Sequence, residues 1–289
     1  MRLHVKIANI KLDYTFHSFD YLKDSIYAYE DKERGSSDYV MEVKIEEQII
    51  PFVGEKQQII NGRSYYQSKR LDVFEVFSED DMPLSEQIIF DKAKKKVTIS
   101  INPIDVADIA MKEYILSGMM FLEIAQREGY MSLHASAIDY RGDAILFAAP
   151  SKTGKSTHAR MWREKFKDDV VMINDDKPLI FKEGETFLAS GTPFSGKQSL
   201  NHNIVKPLKA IIFLEQSNHD EMIQLSMTES LIRLVKNMLR PRDEETWNEL
   251  LNIINELISE VPIYLLKATK SLSSVDLVHN TLYGGNHEN

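Results

Sequence analysis

The chain has 289 residues, 43% of them hydrophobic and 27% charged, with a formal net charge of −9. It contains no cysteine, which excludes disulfides, thiolate catalysis, Cys-ligated zinc and iron–sulfur clusters. The acidic balance argues against nucleic-acid or anionic-membrane partners, and the absence of a signal-peptide pattern sets the expectation of a cytoplasmic protein.

Length and patterning predict two domains, a strand-rich N-terminal domain over 1–104 and a larger α/β domain over 105–289. Residues 1–7 alternate as a strand does, and 40–45, 62–68 and 96–101 read as further strands. Residues 31–38 form a polar segment expected to be an exposed loop, and the basic run 92–96 reads as a solvated strand entry. His4 and His17 stand alone and mark no catalytic constellation.

Near residue 105 the period becomes helical. Asp105 is placed to cap a helix running to about Glu128, with Ile109, Tyr114, Phe121 and Ile124 among its apolar positions and Gly129 as its stop. The longest apolar stretch, 114–122, is too short to cross a bilayer. Segments 133–139 and 143–149 then flank Tyr140-Arg-Gly142, a hairpin signal that gives the second domain's sheet an antiparallel component.

The most informative segment follows. An apolar strand enters Ala149-Pro-Ser-Lys-Thr-Gly-Lys-Ser-Thr157, and Gly154-Lys155-Ser156 opens a helix whose free N–H groups and positive dipole end suit a polyphosphate. Gly154 allows close backbone approach, Lys155 reaches the terminal phosphates, and the Ser156 hydroxyl can ligate Mg²⁺. Ser151, Lys152, Thr153 and Thr157 complete the expected nucleotide-binding loop. The usual pattern begins with glycine, and here that position is Ala149.

A helix over 155–166 and a strand over 170–173 lead to Asn174-Asp175-Asp176, so the acid pair is expected at a strand's carboxyl end beside the loop, where α/β sheets collect ligands. One carboxylate there can hold Mg²⁺ and another can accept a proton from a hydroxyl. A strand–turn–strand over 179–190 then leads into Gly191-Thr-Pro-Phe-Ser-Gly-Lys197. This loop is expected to return to the same edge, with Lys197 facing the transferred phosphoryl group or solvent. His202 and His158 read as bystanders, the latter covering its helix or facing solvent.

The C-terminal part is predicted as a strand over 209–214, a helix with a capping box at Ser226 and Glu229, a second helix capped by Asp243, a strand over 262–266 and a helix over 272–282. Arg240 and Arg242 fall between the two capped helices. They read as solvated or paired with Asp243 to Glu245, or else as approaching the nucleotide.

The order His134, then Ala149 to Ser156, then Asn174-Asp175-Asp176 resembles HPr kinase/phosphorylase and, more distantly, ATP-dependent phosphoenolpyruvate carboxykinase. It is most similar to the HPr-kinase-related proteins found beside bacterial peptide-modification genes. The resemblance covers about 130–215 and implies a phosphate loop on a mixed parallel and antiparallel sheet. The activity it implies is ATP- and Mg²⁺-dependent phosphoryl transfer to a hydroxyl of a peptide, protein or small molecule. It further implies that Asp175 acts as base paired with His134, that Asp176 and Ser156 hold the metal, and that Lys155 binds the phosphates. Relatives of this kind often form homo-oligomers. The Glu-x-Arg-Gly-Leu-Gly signature of true HPr kinases is missing, which points away from HPr as acceptor. A non-catalytic ATP-binding regulatory module and carboxykinase-type phosphotransfer are the alternative readings.

Overall fold

The computed structural model describes all residues except 19, 34, 55–57, 61, 62, 78–82, 105, 151, 152, 196–199 and 285–289. Contacts divide the chain into two units, Met1–Phe121 and Leu122–Asn289. The division falls inside the long helix Ile109–Arg127.

The first unit is built on one mixed sheet. Strands β1 (Arg2–Ile7), β2 (Ile10–Thr15), β3 (Tyr39–Ile45), β4 (Gln58–Ile60), β5 (Arg63–Gln67), β6 (Leu71–Phe77), β7 (Leu84–Asp91) and β8 (Lys96–Ile101) lie in the order β1-β2-β3-β8-β7-β6-β5-β4. The β2–β3 and β3–β8 pairs are parallel and the others antiparallel. Alternation along the strands buries Val5 and Ile7, Met41 and Val43, and Val97 and Ile99.

Helix α1 (Ile109–Arg127) follows. The expected cap, Asp105, lies outside the described residues. Asp108 takes that role, its Oδ1 accepting from the Met111 amide at 2.8 Å. Within the first unit, the buried Glu113 carboxylate of α1 accepts from the amides of His17 at 2.6 Å and Ser18 at 3.0 Å. Burial raises its pKa, against the pull of those two donors.

The two surface expectations hold for most of their described residues, since 32, 33, 35, 36 and 38 and also 93–95 are exposed, and each has one exception at its start. Asp31 is buried, with Lys11 at 3.5 Å, and Lys92 pairs with the buried Asp72 at 3.0 Å. In both cases a neighbouring strand supplies the countercharge, which local composition does not reveal.

The second unit contains β9 (Met131–Ser132), β10 (Ala135–Tyr140), β11 (Asp143–Ala148), α2 (Lys155–Phe166), β12 (Val170–Asn174), β13 (Leu179–Glu183), β14 (Thr186–Ser190), β15 (Val205–Gln216), β16 (Glu221–Gln224), α3 (Met227–Asn237), α4 (Glu244–Glu260), β17 (Ile263–Ala268) and α5 (Leu272–Tyr283). Its sheet runs β12-β10-β11-β15-β14-β13-β9, with β17 also on β15 and β16 on β17. The predicted hairpin is present: β10 and β11 pair antiparallel with Tyr140 opposite Asp143. Arg141 and Gly142 take positive φ values of 52° and 98°, as a two-residue turn matched to strand twist requires. β11, β15 and β17 are mutually parallel, so the sheet is mixed.

Helices cover both faces, and the side chains of β10 and β11 divide between them. Ile138, Tyr140, Ile145 and Phe147 pack with Ala159, Met161 and Trp162 of α2 and with Val275 and Val278 of α5. Ala135, Ala137, Ala144, Leu146 and Ala148 pack with Leu234 of α3 and with Leu250, Ile254 and Leu257 of α4. This two-faced burial explains why β10 reads as continuously buried. The capping box at Ser226 and Glu229 and the Asp243 cap form as expected. Strand β16, too polar to announce itself, was not anticipated.

His158 is neither exposed nor a helix cover. It is 2% exposed, stands edge to face with Phe147 at 4.6 Å, and takes the Trp162 indole N–H at 3.3 Å. Burial pushes its pKa from 6.5 down to about 4. In the unfolded chain the ring binds a proton near 6.5, whereas in the folded chain it resists doing so until about 4. Its contribution to stability is therefore complete above 6.5 and is lost as pH falls across that window. Replacing His158 with Phe is expected to remove about 3 kcal/mol of the acid-induced loss of stability between neutral pH and pH 4. Urea unfolding of both proteins across that range measures it; equal acid slopes contradict the assignment.

Candidate functional site

The loop after β11 leads through Gly154 into the N-terminus of α2. Ala149 is buried among the aromatic residues on the α2 face and is not among the positive-φ residues. The position therefore accepts a methyl group without strain, and the departure from glycine has no conformational cost. Gly154, the residue before α2, has φ +121°, a conformation only glycine adopts readily. A Cβ added there would meet nothing within 4 Å. The space before the helix N-terminus is thus open.

Lys155 is buried. Its ammonium donates to the carbonyl oxygens of Ala149 at 3.0 Å and Pro150 at 3.4 Å, both of the same loop. Burial lowers its pKa, opposed chiefly by the Asp176 carboxylate and also by that of Asp175. Ser156 is exposed, and Thr153 and Thr157 are half-buried. The Thr153 carbonyl accepts from Gln216 Nε2 at 3.1 Å, which ties the loop to the end of β15. Ser151 and Lys152 lie outside the described residues.

The acid pair follows β12 on a turn made by Asn174. Asn174 is fully buried, and its Oδ1 accepts from the amides of Asp176 at 2.9 Å and Lys177 at 2.7 Å. Its Nδ2 donates to the carbonyl and hydroxyl oxygens of Thr192 at 2.9 and 3.2 Å. The 191–195 loop therefore does return beside the acid pair, and the Asp175 amide donates to the Leu200 carbonyl at 3.1 Å. Lys197 lies outside the described residues.

One pairing differs from expectation. His134 Nε2 lies 3.3 Å from Asp176 Oδ1, not beside Asp175, and Asp175 Oδ1 instead accepts from Ser136 Oγ at 2.6 Å. The turn folds back at Asn174 and sends consecutive carboxylates to different neighbours, which a linear spacing argument cannot resolve. Lys177 Nζ stands 3.5 Å from Asp176 Oδ1. The pKa of His134 is lowered first by burial, then by Lys177 and Lys155, with Asp176 opposing. The ring is therefore neutral at neutral pH and can donate one N–H to Asp176.

Two hollows flank these groups. A cleft of about 680 Å³ is bordered by His134, Pro150 and Lys177 on one side and by Arg233 and Lys236 of α3 on the other. A smaller recess of about 170 Å³ is lined by Thr153, Thr157, Gln216, Thr269 and Lys270 among others. Arg240 and Arg242 line neither hollow. Arg240 donates to the Val235 carbonyl, and Arg242 approaches Glu123 at 3.4 Å in a cluster with Arg127 and Asp243. The expected partners were Asp243 to Glu245. Glu123 was missed because it lies far away in sequence.

Among the described residues no three His, Asp or Glu side chains gather into a cation cage. The donors present, the exposed Ser156 hydroxyl and the half-buried Asp176 carboxylate, are oxygen ligands of the kind that suits Mg²⁺ carried in with phosphates, because that ion keeps few protein ligands. Among the described residues no helix is long and apolar enough to cross a membrane.

Sequence reasoning missed Ser136, Lys177, Thr192 and the role of Asn174. An Asn immediately before an acidic turn signals an Asx turn and could have identified the last. Replacing Asn174 with Ala removes an acceptor for two amides and leaves the Thr192 carbonyl unpaired. The expected destabilisation is about 3 kcal/mol, read as a fall in the urea midpoint; an unchanged midpoint contradicts the role assigned to this side chain.

Comparison with known proteins gives three findings. No curated protein matches the chain. The Hpr(Ser) kinase/phosphatase from Coxiella burnetii matches over 52% of this chain and 92% of its own, at 11% identity and a TM-score of 0.31, a likeness too distant to carry an argument. The family model described as SynChlorMet cassette protein ScmC matches residues 97–274, well over half the chain. The chain thus belongs to the ScmC family of SynChlorMet cassette proteins.

Proposed function

We propose that the C-terminal unit is an ATP- and Mg²⁺-dependent phosphotransferase that acts on a hydroxyl group. One observation carries this reading: His134, which lies 3.3 Å from Asp176 Oδ1, lines the same cleft as Ala149 and Pro150, whose carbonyls accept from the Lys155 ammonium. An ammonium and a carboxylate near one cleft support the reading, because phosphoryl transfer to a hydroxyl needs both kinds of group.

Lys155 and the first amides of α2 hold the terminal phosphates, exchanging the Lys155 contacts to loop carbonyls for contacts to phosphate oxygens. Thr153 and Thr157 belong to the same cradle in this reading, and the sequence adds Ser151 and Lys152. Ser156 and Asp176 are the metal ligands in this reading. The bound nucleotide supplies the phosphoryl group, and Mg²⁺ supplies neutralising charge. His134 and Lys177 engage one oxygen of Asp176 and leave the other for the metal. They act as positioning residues.

Asp175 is the base. Ser136 donates to its Oδ1, and Oδ2 is the oxygen assigned to the acceptor proton. In the transfer Asp175 takes that proton as the acceptor oxygen bonds to the terminal phosphorus; the bond to the bridging oxygen breaks, and ADP leaves. Lys197, outside the described residues, is kept from the sequence as the group that would meet the charge on the transferred phosphoryl. HPr is not assigned as the acceptor, since the chain lacks the corresponding signature.

Replacing Asp175 with Asn should leave Mg·ATP affinity within about twofold and lower the transfer rate by about 10³ or more. Calorimetry with Mg·ATP and single-turnover transfer from labelled ATP measure the two effects. Full transfer activity in the variant sinks the assignment of the base. Saturable Mg·ATP binding without transfer to any hydroxyl acceptor would favour a regulatory module.

A further inference from the structure

The larger cleft has a chemical character that phosphate binding does not use. Its volume of about 680 Å³ suits a small organic molecule. Phe213, Leu214, Ile232 and Met238 give it apolar wall, and Lys177, Arg233 and Lys236 bring three cations. Glu229 is the one carboxylate in the lining, and it is committed to the α3 cap, where it accepts from the Ser226 amide and hydroxyl.

Arg233 and Lys236 stand three residues apart on α3 and share one helix face. Neither forms an ion pair with a described residue; Arg233 lies over the Phe213 ring at 6.0 Å and acts on Glu229 at longer range. In a chain of net charge −9, a hollow rimmed by Arg233 and Lys236, without ion pairs among the described residues, is a local reversal of sign. The rim is also fixed relative to the acid pair. The Asn237 carbonyl at the end of α3 accepts from the His134 amide at 2.8 Å, and His134 contacts Asp176.

We propose that this cleft holds the hydroxyl acceptor, and that the acceptor is a small amphipathic hydroxy acid. Its carboxylate is held by the Arg233 fork and the Lys236 ammonium, its apolar body lies against Phe213 and Ile232, and its hydroxyl is directed towards the acid pair. This inference rests on the phosphotransferase reading and narrows its substrate class.

The test uses phenyllactate and phenyllactamide, which share ring and hydroxyl and differ in charge. Ligand-observed NMR measures their binding to the full chain, unaltered and with Arg233→Ala and Lys236→Ala combined, and calorimetry measures Mg·ATP on both proteins. The acid should bind the unaltered chain about tenfold or more tighter than the amide. The double variant should lose that preference while keeping its affinity for the amide and for Mg·ATP. The retained affinities report an intact fold.

Equal binding of acid and amide, no binding of either, or a preference that survives in the variant overturns the proposal. So does loss of Mg·ATP affinity in the variant, which assigns the two cations to the nucleotide. Acid preference in a chain that binds no Mg·ATP leaves the anion site standing and overturns the phosphotransferase reading instead.

Discussion

Asn174 sits fully buried at the end of β12, and both atoms of its amide group are engaged. Its oxygen closes the turn that carries Asp175 and Asp176, and its nitrogen anchors the loop at Thr192. The carboxylates are consequently positioned by the interior of the unit and not by their own surface contacts. A buried amide with every hydrogen bond made resists displacement, because any shift exposes donors and acceptors to an apolar environment. The separate partners of the two acids, Ser136 for one and His134 with Lys177 for the other, follow from that turn.

The electrostatics of the second unit depend on the same arrangement. Lys155 is drawn into the structure, where burial disfavours its charge while Asp176 and Asp175 favour it. It meets its hydrogen-bonding needs with carbonyls of its own loop. His134 is kept neutral by burial and by the adjacent lysines. An anion entering at the α2 N-terminus would therefore meet an ammonium already close by, a helix end with free amides and an exposed hydroxyl at Ser156. The cation-rimmed cleft under α3 adds a second, differently shaped place for negative charge.

Much of this was legible where the controlling interactions are local. The Arg141-Gly142 turn, the Ser226 capping box, the Asp243 cap and the strand–loop–helix around Gly154 each rest on residues a few positions apart, and all four formed as expected. Legibility failed where a partner comes from elsewhere in the chain. His134 found Asp176 and not Asp175, Arg242 found Glu123, and His158 was buried by Phe147 and Trp162. Ser136 gave no signal because a serine inside an apolar strand looks like any other small residue. The tolerance for Ala149 was hidden for the opposite reason: the pattern calls for glycine, but the backbone at that position does not require it.

In the proposed reading the loop ending in Gly154-Lys155-Ser156 binds the phosphates of Mg·ATP. Phosphorus NMR of Mg·ATP titrated with the full chain tests it most directly, with Lys155→Met as the comparison. Saturable shifts of the β and γ signals that vanish in the variant are expected. Absent shifts, or shifts of equal size in both proteins, would contradict it.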